Sequence, residues 1–461
     1  MRNNNFFLAL MLFFSLVIAF SLYVTDYKAL SFTTSFVGVA IYSYSLIKVR
    51  FGDVVQLDLL FLLFLFLYSV MLPLSNYLSP SPSLNAELID ESYLICLVSL
   101  IGYAFGSILF GYNRHYQKNT IINSSSAHQI DERRLKKVGY AVFLLGLVFS
   151  ILAVEATVGF TRYLSAGYAG RALIKREAGP IELGLYVAIV GVIVIYCSVL
   201  LSPKASFNDR FVIYVFIVVF FAYVSFLGVR RPTFLLILSL FCCYSLLKRN
   251  INVVALMLIF VPVFLFFTTF AQYRQVISSD GFLFAIDYIL ENISPEWFDF
   301  SDTELGAPIK TLYHTLTIES ISYKFGLSYL SSFFYVLPSF INGGMWSLSV
   351  EYTHQFFSSE FISIGGNMGF FPVTEAYVNF GVLGNFFVFT FFAIFLGWLN
   401  QNLYKKMNIS PFWVVFCAIL APWFAFFMRL DFSSFMKGFL YSQLVPLFLC
   451  WFLYRYRFVI R

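Results

Sequence analysis

The chain has 461 residues, 60% of them hydrophobic and 12% charged, with a formal net charge of +6. At a mean hydropathy of +0.81, a water-soluble core cannot hold so much apolar surface, so lipid must be the solvent for much of it. The positive balance does not point to nucleic acid, because most of the cations fall in short segments between apolar runs, and the six Cys lie inside those runs in neither a disulfide nor a zinc spacing.

Four His are too few and too scattered for a metal centre, and the 60 Phe and 30 Tyr read as lipid-facing bulk and interfacial belts. Runs of about 17–25 apolar residues can cross the hydrocarbon. In chain order they fall at 6–24, 29–47, 54–74, 93–112, 140–157, 183–201, 211–229, 233–247, 251–270, 378–399, 411–428 and 439–454. The expected fold is therefore all-α, one polytopic membrane domain over 1–461 with about twelve spans. The first run resembles a signal peptide, but its apolar core is too long and no small-residue cleavage site follows, so it reads as a retained anchor.

Lys and Arg set the expected orientation. An amino terminus in the cytoplasm places Lys48, Arg50, the stretch 114–137, Lys204, Arg210, Lys248, Arg249, Lys405, Lys406 and the C-terminal arginines inside. The inverse would put Arg133-Arg134-Leu135-Lys136-Lys137 outside, against the positive-inside rule. Both termini are expected in the cytoplasm. Two external segments result: a basic loop at 159–182 and a large loop at 271–377, roughly a hundred residues and too long for a connector. Within the latter, the aromatic stretch 329–340 is too short to span and reads as a re-entrant or interfacial helix. Asp58 is the sole charge deep in a span, with a structural and a catalytic role both open.

Three external features break the positive-inside pattern. In the first, Arg162, Arg171, Lys175 and Arg176 face outward; they fit either an amphipathic helix on anionic head groups or a surface for an anionic, lipid-linked head group. The second is the turn Gly228-Val229-Arg230-Arg231-Pro232, where two arginines either snorkel or clamp a pyrophosphate leaving group. Arg274, just past the ninth span, is an interfacial anchor or a third phosphate ligand. For proton transfer the large loop offers Glu304, His314, Glu319, Glu351, His354 and Glu360. Glu375 stands apart, because it enters the membrane with Tyr377 and Asn379 at near-helical spacing and should face protein or a water-filled cavity. Gly381 and Gly384 can serve close helix packing.

Three segments resemble the O-antigen polymerases of the Wzy type. Leu227-Gly228-Val229-Arg230-Arg231-Pro232 is similar to that family's Gly-x-Arg turn, although many members carry a small residue after the arginine. Phe325-Gly326-Leu327-Ser328-Tyr329, with Pro338, resembles its Gly-x-Ser-Tyr and Pro pattern. Thr374-Glu375-Ala376-Tyr377-Val378-Asn379-Phe380-Gly381-Val382-Leu383-Gly384 is similar to its Glu-x-Tyr-x-Asn-Phe-Gly return to the membrane. The resemblance implies a GT-C-like glycosyltransferase of the bacterial inner membrane with a large periplasmic loop. Its substrate would be an oligosaccharide on undecaprenyl pyrophosphate, and its partners membrane lipids and a chain-length regulator protein, with no cofactor, essential metal or nucleic acid. It further implies catalytic roles for Arg230 and Arg231 on the departing phosphates, and for Glu375 or a loop histidine such as His354 as base on the acceptor hydroxyl. Arg162, Arg171, Arg176, Arg274, Tyr329, Tyr377 and Asn379 would bind substrate. A lipid-linked oligosaccharide flippase and an O-antigen ligase are the alternatives; a flippase needs charged residues lining its helices and usually has short loops.

Overall fold

In lipid, backbone N–H and C=O groups must satisfy one another, which leaves a long apolar run little choice but helix. A computed structural model of the chain describes residues 4–49, 56–110, 132–157, 159, 183–202, 207–226, 230–248, 306–318, 321–363, 369–407 and 411–456, and among these there is no strand. The first eight helices are α1 (Asn4–Val24), α2 (Lys28–Val49), α3 (Leu57–Leu78), α4 (Ala86–Phe110), α5 (Glu132–Thr157), α6 (Gly184–Leu201), α7 (Phe207–Phe226) and α8 (Arg230–Lys248). Five short helices follow: α9 (Ala307–Leu316), α10 (Leu327–Tyr335), α11 (Ser339–Asn342), α12 (Leu348–Phe356) and α13 (Ser359–Ser363). The chain then returns through α14 (Pro372–Met407), α15 (Pro411–Phe427), α16 (Phe432–Phe439) and α17 (Val445–Arg455). A π turn, Leu440–Leu444, joins the last two; Pro446 follows it and lacks the N–H that an α-helical ladder would need.

This is a multi-pass membrane protein. Among the described residues eight helices are long and apolar enough to cross a bilayer: α1 to α6, α14 and the joined α16–α17. Shorter apolar stretches lie in α8 (Phe234–Leu247) and α15 (Phe412–Phe427). The span expected at 251–270 and nearly all of the basic loop at 159–182 lie outside the described residues. The aromatic stretch at 329–340 is two helices, α10 and α11, interrupted at Pro338, which disfavours helical backbone at the residue before it.

α6 and α3 are the most enclosed spans, 83% and 72% buried, whereas α1 presents Phe7, Met11, Phe14 and Ile18 outward. α4 packs along α14, and α5 along α6. The first seam is a small-residue one: a Cβ on Gly106 would lie 2.3 Å from the Thr390 carbonyl oxygen, and the Thr390 hydroxyl donates to the Gly102 carbonyl at 2.9 Å. Contacts far apart in sequence define two ends. At one end Lys28 Nζ meets Asp90 at 2.6 Å and the Asn85 N–H donates to Tyr313 Oη at 3.0 Å. At the other, Asn400 donates to Asp58 Oδ1 at 3.2 Å and Arg134 lies 5.3 Å from the Tyr454 ring. Asp58 is thus not deep in a span. α3 starts at Leu57, so Asp58 sits in the first turn, where exposed N–H groups favour a carboxylate; Leu59 N–H donates to it at 3.1 Å.

The α5–α6 seam yields a direct test. A Cβ on Gly146 would lie 2.2 Å from the Ala188 backbone nitrogen, and backbone cannot rotate away as a side chain can. Gly146→Ala should lower stability by about 1–3 kcal/mol, read as a lower thermal-unfolding midpoint in detergent. Leu144→Ala, at an exposed lipid-facing position, should leave the midpoint unchanged.

Candidate active site

Glu375 stands in the first turn of α14, which Pro372 opens; proline is suited there because a first-turn N–H has no helical partner. The side chain is 1% exposed. A carboxyl group taken out of water needs donors around its oxygens. Ser328 Oγ donates to Oε1 at 2.8 Å and the Phe432 N–H donates to Oε2 at 2.7 Å. One side chain therefore ties α14 to α10 and to the start of α16.

Asn379, one helical turn on, shares this face. Its Nδ2 donates to Ser328 Oγ at 2.7 Å and to the Glu375 carbonyl at 2.8 Å, and its Oδ1 accepts from the Gly326 N–H at 2.9 Å. Two residues further, Gly381 adopts φ 70, ψ −162, and α14 kinks. A broken helix turns carbonyls outward; Val378 and Asn379 accept from the Lys324 and Phe325 N–H groups, each at 3.0 Å. Residues 324–327 form a tight turn closed by Leu327 N–H to Lys324 carbonyl at 2.9 Å, with Phe325 at φ 44 and Gly326 at φ 85. A bulky residue at positive φ persists only where its surroundings over-determine it. Here three consecutive N–H groups are held by residues 378 and 379.

α10 then lies along α16. Ser332 and Ser433 hydroxyls meet at 2.7 Å, and Lys437 Nζ sits 4.5 Å over the Tyr335 ring. Asp431 caps α16, its Oδ2 accepting the Ser434 N–H at 3.3 Å. Burial pushes its carboxyl up to about 6, with the Ser434 donors pulling the other way. Tyr329 stacks on Phe380 and meets Phe432 edge-on; burial first, and Glu375 second, raise its phenol well above the ordinary range, leaving it a donor.

Arg231 approaches from α8. Its guanidinium carbon lies 4.4 Å from the Trp423 ring centroid and 4.7 Å from that of Phe426. A Cβ on Gly438 of α16 would come within 3.0 Å of Nη2. Arg231 thus packs inward and does not snorkel. A cation in the first turn opposes the helix dipole by about 0.3–1 kcal/mol. A ring face returns about 0.5–2 kcal/mol, and Arg231 has two.

Of the residues singled out from sequence, Glu375, Tyr329, Tyr377, Asn379 and Arg231 gather at this end of the bundle. Arg162, Arg171, Arg176 and Arg274 lie outside the described residues, as do Glu304, Glu319 and the side chains of Arg230 and Glu360. His354 lies on α12, exposed and stacked on Trp346 at 4.6 Å. His314 meets Tyr352 Oη at 2.6 Å, and burial, then Lys310, lowers its pKa. Glu351 pairs with Lys324. Among the described residues no group of three His, Cys, Asp or Glu could hold a metal ion. Asp431, Phe432 and Trp423 were not singled out from sequence; the signal for the first was a charged pair, Arg429 and Asp431, in a short turn between two apolar runs.

The break at Gly381 can be tested apart from any activity. A Cβ there would meet Tyr323 ring atoms at 3.5 Å, an ordinary contact. The cost of Gly381→Ala is therefore that of the backbone conformation, about 1–3 kcal/mol. It should lower the thermal-unfolding midpoint although the site has room; a wild-type midpoint would mean the kink is dispensable.

No curated protein and no solved structure matches the chain. The family model described as O-antigen polysaccharide polymerase Wzy matches residues 4–458. That span takes in the bundle from α1 to α17 and every segment around Glu375 and Arg231. The chain belongs to the Wzy family of O-antigen polysaccharide polymerases.

Proposed function

We propose that the protein polymerises undecaprenyl-pyrophosphate-linked O-antigen repeat units at the periplasmic face of the bacterial inner membrane. The growing glycan is the donor, and the non-reducing sugar of a new lipid-linked unit is the acceptor. Both termini lie in the cytoplasm, so the end carrying Glu375 and Arg231 faces the periplasm. The observation that carries the reading is Arg231, held over Trp423 and Phe426 in the first turn of α8. Ring faces fix the plane of the guanidinium, and the helix end adds its own attraction for an anion.

The reaction forms a bond from the acceptor oxygen to the donor's anomeric carbon and breaks the bond from that carbon to pyrophosphate. Negative charge grows on the departing oxygen, where Arg231, joined by Arg230, stabilises it. The acceptor's proton goes to Glu375 by way of Ser328. Asn379 donates to the Ser328 oxygen, which directs the Ser328 proton to Glu375 and orients the hydroxyl to take the acceptor's proton in exchange. Arg162, Arg171, Arg176 and Arg274 supply further contacts to the lipid-linked phosphates, and Tyr329 and Tyr377 line the sugar path. A chain-length regulator protein is the expected partner.

A deletion strain should make lipid A core bearing a single repeat unit and no ladder on a lipopolysaccharide gel; loss of even the single unit would favour a flippase or ligase. In that strain Arg231→Ala should fail to restore the ladder at normal protein level. Loss of such a donor costs about 2.7–4 kcal/mol, a hundred- to a thousandfold in rate. Lysine keeps the charge without the planar fork and should also fail; full rescue by lysine would make Arg231 an anchor only.

Glu375→Gln keeps the volume and removes the proton acceptor. With purified enzyme, kcat should fall about 10²–10⁴-fold while KM changes little. Activity that falls only in step with the folded fraction would reduce Glu375 to a structural tie.

A further inference from the structure

Trp346 lies in the turn between α11 and α12, with 59% of its surface exposed. The turn is tied down on both sides. Asn342 donates from Nδ2 to the Leu337 carbonyl at 3.0 Å and accepts the Gly344 N–H at 3.0 Å. Gly343 and Gly344 take φ 63 and φ 74. Ser347, 1% exposed, accepts from the Ser434 hydroxyl at 3.3 Å, which links the turn to α16 beside Asp431. On this base the Trp346 ring stacks on His354, centroids 4.6 Å apart and planes 22° from parallel.

The neighbours decide what such a ring is for. Among the described side chains of α10 and α11, the exposed ones are Leu327, Leu330, Phe333, Phe334 and Ile341, an apolar face suited to lipid. Those of α12 are Glu351, His354 and Gln355, polar and spaced to share one face. Trp346 is stacked on the polar helix, so its ring borders hydrogen-bonding groups. A flat apolar ring stacked on an imidazole, on a helix whose exposed face also carries a carboxylate and an amide, matches a pyranose, which has one face of C–H groups and a rim of hydroxyls. Stacking on His354 holds the tryptophan in place before a ligand arrives, which lowers the ordering cost of binding.

We propose that Trp346, braced by His354, is a sugar-binding platform that stacks against a pyranose of the oligosaccharide substrate next to the Glu375 site. The proposal rests on the polymerase reading for its ligand and gives His354 a positioning role in place of a catalytic one.

The test uses full-length protein in nanodiscs and, as probe, the repeat-unit oligosaccharide released from its lipid by mild acid. Binding is read by saturation-transfer NMR, and KM and kcat with the lipid-linked unit. Trp346→Ala should weaken oligosaccharide binding about tenfold, in line with an aromatic contact of about 1.4 kcal/mol, and raise KM while kcat stays near wild type. Trp346→Phe should recover most of the affinity, and His354→Ala should lose a few-fold, so two milder variants carry the test if the alanine protein melts early. Unchanged binding in Trp346→Ala overturns the platform, as does Trp346→Leu behaving like wild type, the outcome for a lipid anchor. A wild-type protein that binds the oligosaccharide but builds no ladder would sink the polymerase reading and leave the platform standing.

Discussion

A helix that breaks where it enters a membrane exposes backbone groups that lipid cannot satisfy, and α14 breaks at Gly381, six residues after Glu375. The carbonyls of Val378 and Asn379 find their partners in the Lys324 and Phe325 N–H groups. This single requirement brings a turn from the large loop onto the helix, forces Phe325 into a positive φ, and points Ser328 at Glu375. The polar cluster is thus a consequence of backbone accounting as much as of side-chain attraction. Asn379 serves both, bonding the turn through Gly326 and orienting Ser328.

The rest of the bundle keeps that break in place. Close α4–α14 packing at Gly102 and Gly106 holds the long part of α14 rigid beyond the kink. α15 supplies the Trp423 and Phe426 rings for Arg231, and the start of α16, one short turn on, supplies the Phe432 N–H for Glu375. The acid and the cation are therefore set by the same three-helix corner, with α8 as its third wall. Burial of Asp431 within this corner raises its pKa to about 6. A carboxyl so shifted favours the neutral form of the folded protein: its contribution to stability is full at low pH and is lost as pH rises above the ordinary carboxylate range.

Much of the fold was legible in the sequence, because a span needs only sufficient apolar length and a turn needs only interruption. The ends were less so. Apolarity marks where lipid begins, whereas α4 and α5 start at Ala86 and Glu132, well ahead of their apolar runs, because a helix continues through its polar first turns. Asp58 read as a charge in mid-span for the same reason. Spacing puts Glu375 and Asn379 on one side of a helix and Tyr377 on the other, and all three are buried.

By itself, the sequence determined that this is a helical, multi-pass membrane protein and that Glu375 must turn away from lipid, since each follows from local composition and periodicity. Only the tertiary structure decided that Gly381 is a break and not a packing contact, since glycine suits both and the choice depends on the turn at 324–327. It likewise decided that Arg231 faces Trp423 and that His354 stacks on Trp346. Those pairings join residues far apart or on separate elements, and neither periodicity nor charge along the chain carries that distance.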